Sequence, residues 1–255
     1  GSAVQHGAYV GGNIIDHSAA SQKHALILNH EVNGTNVRSE NVRIEWNDII
    51  GYRGSSGATQ IGLYCSGFNG DVLNNLIDVG HTDSAQNAVV LTAGARFMGN
   101  LVYSRTGMRG VLLGQVTVGS AISNSAGSEV AYNTFVSPAG VGTGVAGSAD
   151  AGAVAVHSNL LIGWVTGLDV RAGTSHGFNA YKNCTTNISA SSSTATALGS
   201  DVDADAAELL AFSPLGETNA IATAGKVSAG QTLQLDALGA MRGLSVIAAG
   251  ALEPA

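Results

Sequence analysis

One short pattern recurs along the chain: an Asn followed by two mostly aliphatic residues. It reads Asn13-Ile14-Ile15, Asn47-Asp48-Ile49-Ile50, Asn75-Leu76-Ile77, Asn100-Leu101-Val102, Asn133-Thr134-Phe135-Val136, Asn159-Leu160-Leu161-Ile162 and Asn179-Ala180-Tyr181. Successive Asn residues are 34, 28, 25, 33, 26 and 20 positions apart. Self-similarity at that period belongs to solenoids, in which each unit buries its apolar face only against its neighbours. Each interval holds a second apolar run, as at Ala25 to Leu28, Ile61 to Tyr64, Ala88 to Leu91, Val111 to Leu113 and Gly167 to Val170. A third run leads back to the next Asn, as in Val42-Arg43-Ile44-Glu45-Trp46 and Glu129-Val130-Ala131-Tyr132. Period-two alternation broken by Gly, Ser, Asn and Thr favours strands over helices. Three short strands per repeat make one coil, so the predicted fold is all-β: a single-stranded right-handed parallel β-helix of about seven coils.

The Asn has a mechanical reason to recur. At a tight bend it can take unusual backbone angles and bond nearby backbone groups, and in stacked coils its amide reaches the Asn of the next coil, about 4.8 Å away. The flanking aliphatics are expected to stack inward as ladders. Seven coils at that spacing give a rod of roughly 34 Å, whose end coils present unpaired strand edges. The repeat starts almost at once, at Tyr9-Val10-Gly11-Gly12-Asn13, with no capping helix ahead of it. That predicts either further chain upstream in a longer protein or docking against another subunit.

Composition narrows the class of partner. Charged residues make up 11% of the chain and there are 35 glycines, about twice the ordinary share, so disorder driven by charge is not expected. A formal charge of -7 argues against nucleic acid, which needs a basic stripe. An acidic polymer remains compatible, because screening limits the reach of distant charges to about 8–10 Å and a few local cations suffice. Cys65 and Cys184 fall several coils apart and are expected to be free thiols. No apolar run reaches the roughly 18–20 residues of a membrane-spanning helix.

After Ser189 the character changes. A β-helix over 1–190 is expected to give way to a C-terminal cap or tail over 191–255, packed on the helix. Ser191-Ser192-Ser193 reads as a break, and 201–210 as a short helix with acidic residues on its first turn. The alternating Asp201, Asp203 and Asp205 are also a candidate calcium set, calcium being the one cofactor considered. The last segment runs Ser213-Pro214, Asn219-Ala220-Ile221, Ala224-Gly225, Asp236-Ala237-Leu238-Gly239, Arg242-Gly243 and Val246-Ile247-Ala248-Ala249-Gly250-Ala251-Leu252-Glu253-Pro254. This tail resembles the terminal pattern of secreted right-handed β-helix proteins of the pectate-lyase-like superfamily, and implies that the chain reaches its natural C-terminus. Residues 9–190 match that superfamily as a repeat style. Polysaccharide lyases of the chondroitinase B and alginate lyase type, and the tailspikes of phages, have a similar look. The resemblance implies a secreted or virion-associated protein that engages polysaccharide, with a homotrimer implied by the spikes.

The resemblance to the lyases implies a Lys and an Arg just after the second strand of neighbouring coils, to neutralise a uronate carboxylate while a base takes the C5 proton. Here those stretches read Leu28-Asn29-His30-Glu31, Leu63-Tyr64-Cys65-Ser66 and Leu91-Thr92-Ala93-Gly94, and neither cation is present. Polar side chains gather instead in the turns a few positions after each Asn: Asp16, His17 and Lys23; Tyr52 and Arg53; Asp78, His81 and Asp83; Tyr103, Arg105 and Arg109. In a parallel stack these turns lie side by side. Asp78, Asp83, His81 and Arg105 are the candidate catalytic residues. Asp78 and Asp83 could act as paired carboxylates for hydrolysis, and His81 as a base or a metal ligand. Tyr52, Arg53, Tyr103, Arg109, Lys23 and His17 are the candidates for binding sugar, by stacking on ring faces and bonding hydroxyls or carboxylates. Solvated turns on a non-catalytic structural or adhesive rod are the alternative. There is no Gly-x-Ser-x-Gly elbow, phosphate loop, His-Glu-x-x-His or Cys-x-x-Cys. Gly140 to Gly152 is expected to be a flexible inserted loop.

Overall fold

Alternating apolar residues in short runs bury one face per strand, and here those faces close on a single interior. A computed structural model describes residues 4–16, 24–29, 31–32, 35–36, 38–52, 61–66, 68–79, 87–92, 94–105, 109–114, 116–118, 121–148, 151–171, 173–189, 196–205, 209–210 and 213–214. Every regular element among them is a strand. The chain visits three sheets in strict rotation, and every pairing within the three is parallel. The first sheet begins with Val4–Gly11, Arg38–Glu45 and Phe68–Leu73 and ends at Thr196–Ala197. The second begins with Ile14–Asp16, Asp48–Tyr52 and Leu76–Val79 and ends at Val202–Asp203. The third runs from His24–Asn29 through Ile61–Ser66 to Thr186–Ile188. The protein is therefore an all-β, single-stranded parallel β-helix. Among the described residues, two sheets hold eight strands and the third seven.

Inward residues stack coil on coil. Ile44, Val72, Phe97, Val130 and Val156 line the first sheet, and Ile49, Ile77, Val102, Phe135, Leu161 and Tyr181 the second. Leu63, Val89, Val111, Val145 and Leu168 line the third, and all of these are essentially inaccessible. Burying each such side chain contributes about 1.5–3 kcal/mol, which is the main term holding coil to coil.

The Asn ladder occupies the corner between the first and second sheets. Asn75 donates its backbone N–H and its amide to Asn100 Oδ1, both at 2.9 Å. Asn100 does the same to Asn133, Asn133 to Asn159, and Asn159 to Asn179. Each amide also donates to a carbonyl of the preceding coil, as Asn100 does to Val72 at 3.0 Å. The bend itself is not made by the Asn, as its turn chemistry suggested, but by the residue before it. Trp46, Asn74, Tyr132, Ser158 and Phe178 have φ between 54° and 58°, and Gly12 and Gly99 have 67°. The ladder bonds hold even aromatic residues in that left-handed conformation, at about 1–2 kcal/mol each.

Two expectations fail here. Residues 201–205 do not open a helix. Val202–Asp203 adds to the second sheet, Leu209–Leu210 pairs antiparallel with Ser213–Pro214, and Asp201 is the next member of the ladder. Its Oδ1 accepts from Asn179, and its Oδ2 meets His176 Nδ1 at 3.0 Å. Asp201 is the last member among the described residues, and its carboxylate accepts from Asn179 without a side-chain amide to pass on. The Gly140 to Gly152 stretch is likewise not a loop throughout. Thr143–Gly147 lies in the third sheet between Arg109–Leu113 and Thr166–Asp169. Its glycine is required by packing, since a Cβ on Gly144 would sit 2.5 Å from Leu161 Cδ2 and 2.8 Å from the Gly167 carbonyl oxygen.

Candidate functional site

The corner between the second and third sheets carries the polar residues singled out by sequence. Asp78 and Tyr103 are in register on adjacent strands, Leu76–Val79 and Leu101–Ser104. Alternation puts Ile77 and Val102 inward, so Asp78 and Tyr103 face out. The strand beside Asp78 is irregular: Ile77 pairs with Ile49, but Val79 pairs with Tyr52, so Ile50 and Gly51 together oppose Asp78. A bulge of that kind re-aims the strand and is frequent beside functional sites.

Arg105 follows on the same coil as Tyr103, its N–H donating to Val79 O at 2.9 Å. Its guanidinium grips Asp78 with both arms, Nε to Oδ1 at 2.9 Å and Nη2 to Oδ2 at 2.8 Å. Its Cζ lies 4.8 Å from the centre of the Tyr103 ring. The hydrogen bonds to Asp78 hold the Arg105 guanidinium above its ordinary pKa, against the opposing effect of desolvation and with the charges of Asp78 and Tyr103 adding in the same direction. Arg105 is nonetheless half exposed. The cluster is thus a fixed, solvent-facing cation, oriented by a carboxylate from the neighbouring coil and backed by an aromatic ring. It can meet an anion or stack on a flat face.

Arg109 begins the next strand, half-buried, with Nη1 3.4 Å from Asn87 Oδ1 of the coil before. Tyr52 is placed by its backbone pairing with Val79. His17, Lys23, Arg53, His81 and Asp83 lie outside the described residues, and so does the pairing of Asp78 with Asp83. No group of three or more His, Cys, Asp or Glu among the described residues is placed to hold a metal ion. Asp201, Asp203 and Asp205 do not converge: Asp201 serves Asn179 and His176, while Asp203 Oδ1 accepts from Asp205 N at 3.3 Å.

Sequence reasoning passed over the outer face of the first sheet. There Arg96 holds Asp71 through two hydrogen bonds of 2.7 and 2.8 Å, and Arg43 holds Glu45. A hydroxyl, imidazole and carboxylate also align: His157 Nδ1 lies 3.2 Å from Ser158 Oγ, and its Nε2 lies 2.8 Å from Glu129 Oε1. Ser158 has no exposed surface and His157 only 2%, so no substrate reaches the hydroxyl and the line is structural. Only the parallel register could have revealed it, because Glu129 stands 28 residues away on the neighbouring coil. Comparison with protein-family models and with curated proteins finds no match to the chain.

Proposed function

We propose that this protein engages an acidic polysaccharide, outside the cell or on a virion, through the corner between its second and third sheets. The observation that carries this reading is the Asp78, Arg105 and Tyr103 cluster on adjacent coils. A guanidinium pre-oriented by one carboxylate still has exposed N–H groups for another, and the rotamer entropy lost on binding is reduced because its fork is already fixed. Parallel stacking sets neighbouring coils about 4.8 Å apart, a spacing suited to an extended chain of sugars. Asp78 is committed to Arg105, so its part is to position that cation. A hydrolytic role would fall to Asp78 only if substrate displaced the arginine.

The test is incubation of the full chain with a panel of acidic and neutral polysaccharides, following ultraviolet absorbance of unsaturated products, new reducing ends, and binding by affinity electrophoresis. Retardation by acidic glycans that is lost in Arg105→Ala and Tyr103→Ala supports the reading, and products would add lyase or hydrolase chemistry to it. No retardation by any glycan overturns it. The second reading, a non-catalytic rod that trimerises as phage spikes do, is favoured by the unbroken Asn ladder, which builds a stiff core whatever its surface does.

A further inference from the structure

The outer face of the first sheet carries a row of alternating charge. Val42, Ile44, Val72, Phe97 and Val130 point into the core, so alternation turns Arg43, Asp71, Arg96 and Glu129 outward. Arg43 is in register with Asp71, Asp71 with Arg96, and Arg96 with Glu129, on four successive strands about 4.8 Å apart. Along the rod the row therefore runs positive, negative, positive, negative. The positions beyond it are uncharged, with Tyr9 before Arg43 and Ala155 then Ser175 after Glu129. The side chains of Arg43 and Arg96 are 53% and 49% exposed, and those of Asp71 and Glu129 are 22% and 16% exposed. Partners within the chain orient these groups without covering them. Arg96 gives Nε and Nη2 to Asp71, Arg43 grips Glu45, and Glu129 meets His157. The hydrogen bonds to Asp71 raise the Arg96 guanidinium above its ordinary pKa against desolvation, and the charges of Asp71 and then Glu129 add to the rise, so the row is coupled from strand to strand.

We propose that this face docks a second copy of the chain, the two rods lying antiparallel about a two-fold axis that follows the strand direction and passes between the strands of Asp71 and Arg96. The row is its own complement when reversed. Arg96 of each copy then meets Asp71 of the other, and Arg43 of each meets Glu129 of the other, so every contact occurs twice, as a two-fold interface requires. The internal bonds of Arg96 use Nε and Nη2 and leave Nη1 for the second carboxylate. Glu129 keeps His157 and lends only its charge. Other arrangements fail on charge. Rods laid parallel set Arg43 against Arg43 and Asp71 against Asp71, and sliding the antiparallel copy by one coil also sets like against like. Sliding it by two coils keeps only half of the contacts. Charge order thus selects one orientation and one register. The row spans about 14 Å, a small footprint for a specific contact, so the dimer is weak and reversible. It lies on a different sheet from Asp78 and Tyr103, and the pairing stands apart from any glycan.

The test is sedimentation velocity of the full chain at about 0.1 M salt, where screening over about 10 Å preserves the contacts of the row but hides most of the net charge of -7. The chain should show a monomer–dimer equilibrium. Arg96→Glu and Asp71→Arg each set like charges across the axis and should weaken the dimer by about tenfold or more. An equal mixture of the two variants should pair again, because the first presents two carboxylates to the two guanidiniums of the second. Arg96→Gln, which places no like charges side by side within one chain, should weaken the dimer by a smaller factor and keeps the test decisive if a reversal fails to fold by circular dichroism. A chain that stays monomeric up to about 1 mM overturns the proposal. So does a trimer, a dimer that Arg96→Gln and the folded reversals leave unchanged, or a mixture of folded variants no more dimeric than its two parts.

Discussion

Asn100 sits in the middle of the ladder, and replacing it by Asp and by Ala separates what its two halves do. The wild-type Oδ1 accepts two bonds from Asn75, while its amide hydrogens are shared among Val72 O at 3.0 Å, Met98 O at 3.1 Å and Asn133 Oδ1 at 3.0 Å. Asn100→Ala loses all of these. With two accepted and two donated bonds at about 1 kcal/mol each, the cost is about 4 kcal/mol, since the site is fully buried and water does not replace them. Asn100→Asp keeps the accepted pair but turns an oxygen toward three other oxygens. Ionised, that oxygen is an uncompensated buried charge and costs about 3–5 kcal/mol. Protonated, it can donate to one of the three, and most of the cost disappears.

The pH dependence follows from that difference. Among so many oxygens the introduced carboxyl is held protonated in the folded protein to a pH above its unfolded pKa of about 3.9. Its contribution is therefore most favourable below about pH 4 and declines as pH rises, by about 1.4 kcal/mol per unit until the folded pKa is reached. Urea unfolding of Asn100→Asp and Asn100→Ala, compared at pH 4 and pH 7, removes the titration of the remaining groups from the result. Asn100→Asp should be the more stable variant at pH 4 and lose that advantage by pH 7. A stability difference that stays constant with pH would refute the bonding scheme, and an Asn100→Asp variant as stable as wild type at pH 7 would refute the burial as well. Asp201→Asn, at the ladder's end, should cost little at either pH.

Three other outcomes follow from the packing and from the side-chain partners. Gly144→Ala should destabilise the chain by about 1–3 kcal/mol in urea unfolding, because the new methyl overlaps a backbone oxygen as well as a flexible side chain. The double-mutant cycle of Arg96→Ala and Asp71→Ala should give a coupling of about 1 kcal/mol or less that shrinks with added salt, since the Arg96 side chain is half exposed. Burial raises the thiol pKa of both cysteines, and Cys65 is fully enclosed. Native protein at pH 8 should therefore be alkylated at Cys184 before Cys65, as read by mass spectrometry of the digested chain, and the reverse order would contradict the placement of Cys65 in the interior.

The coils were legible because a parallel stack repeats the same environment at the same phase, so the Asn and its aliphatic neighbours report the corner directly. The fifth coil hid its third strand for a physical reason. In Thr143–Gly147, Gly147 is in register with Leu113, and Leu113 with Leu91, so the sequence shows glycine where the preceding coils show an aliphatic, next to Gly144, which Leu161 and Trp164 of the neighbouring coil leave no room to enlarge. Asp201 was hidden by chemistry: it accepts from Asn179 with a carboxylate in place of an amide, so the pattern changes residue type at the last ladder position among the described residues. The same logic limits what sequence shows of the site. Asp78, Tyr103 and Arg105 are found as polar residues in turns, but their joining depends on register between coils 25 residues apart at the ladder, which no local pattern encodes. Register also separates the clusters into two kinds. Glu129, His157 and Ser158 are covered by the sheet they bridge and so can only stabilise it. Asp78, Tyr103 and Arg105 are assembled by the same stacking but face out, and only such a cluster can exchange its internal partner for an external one.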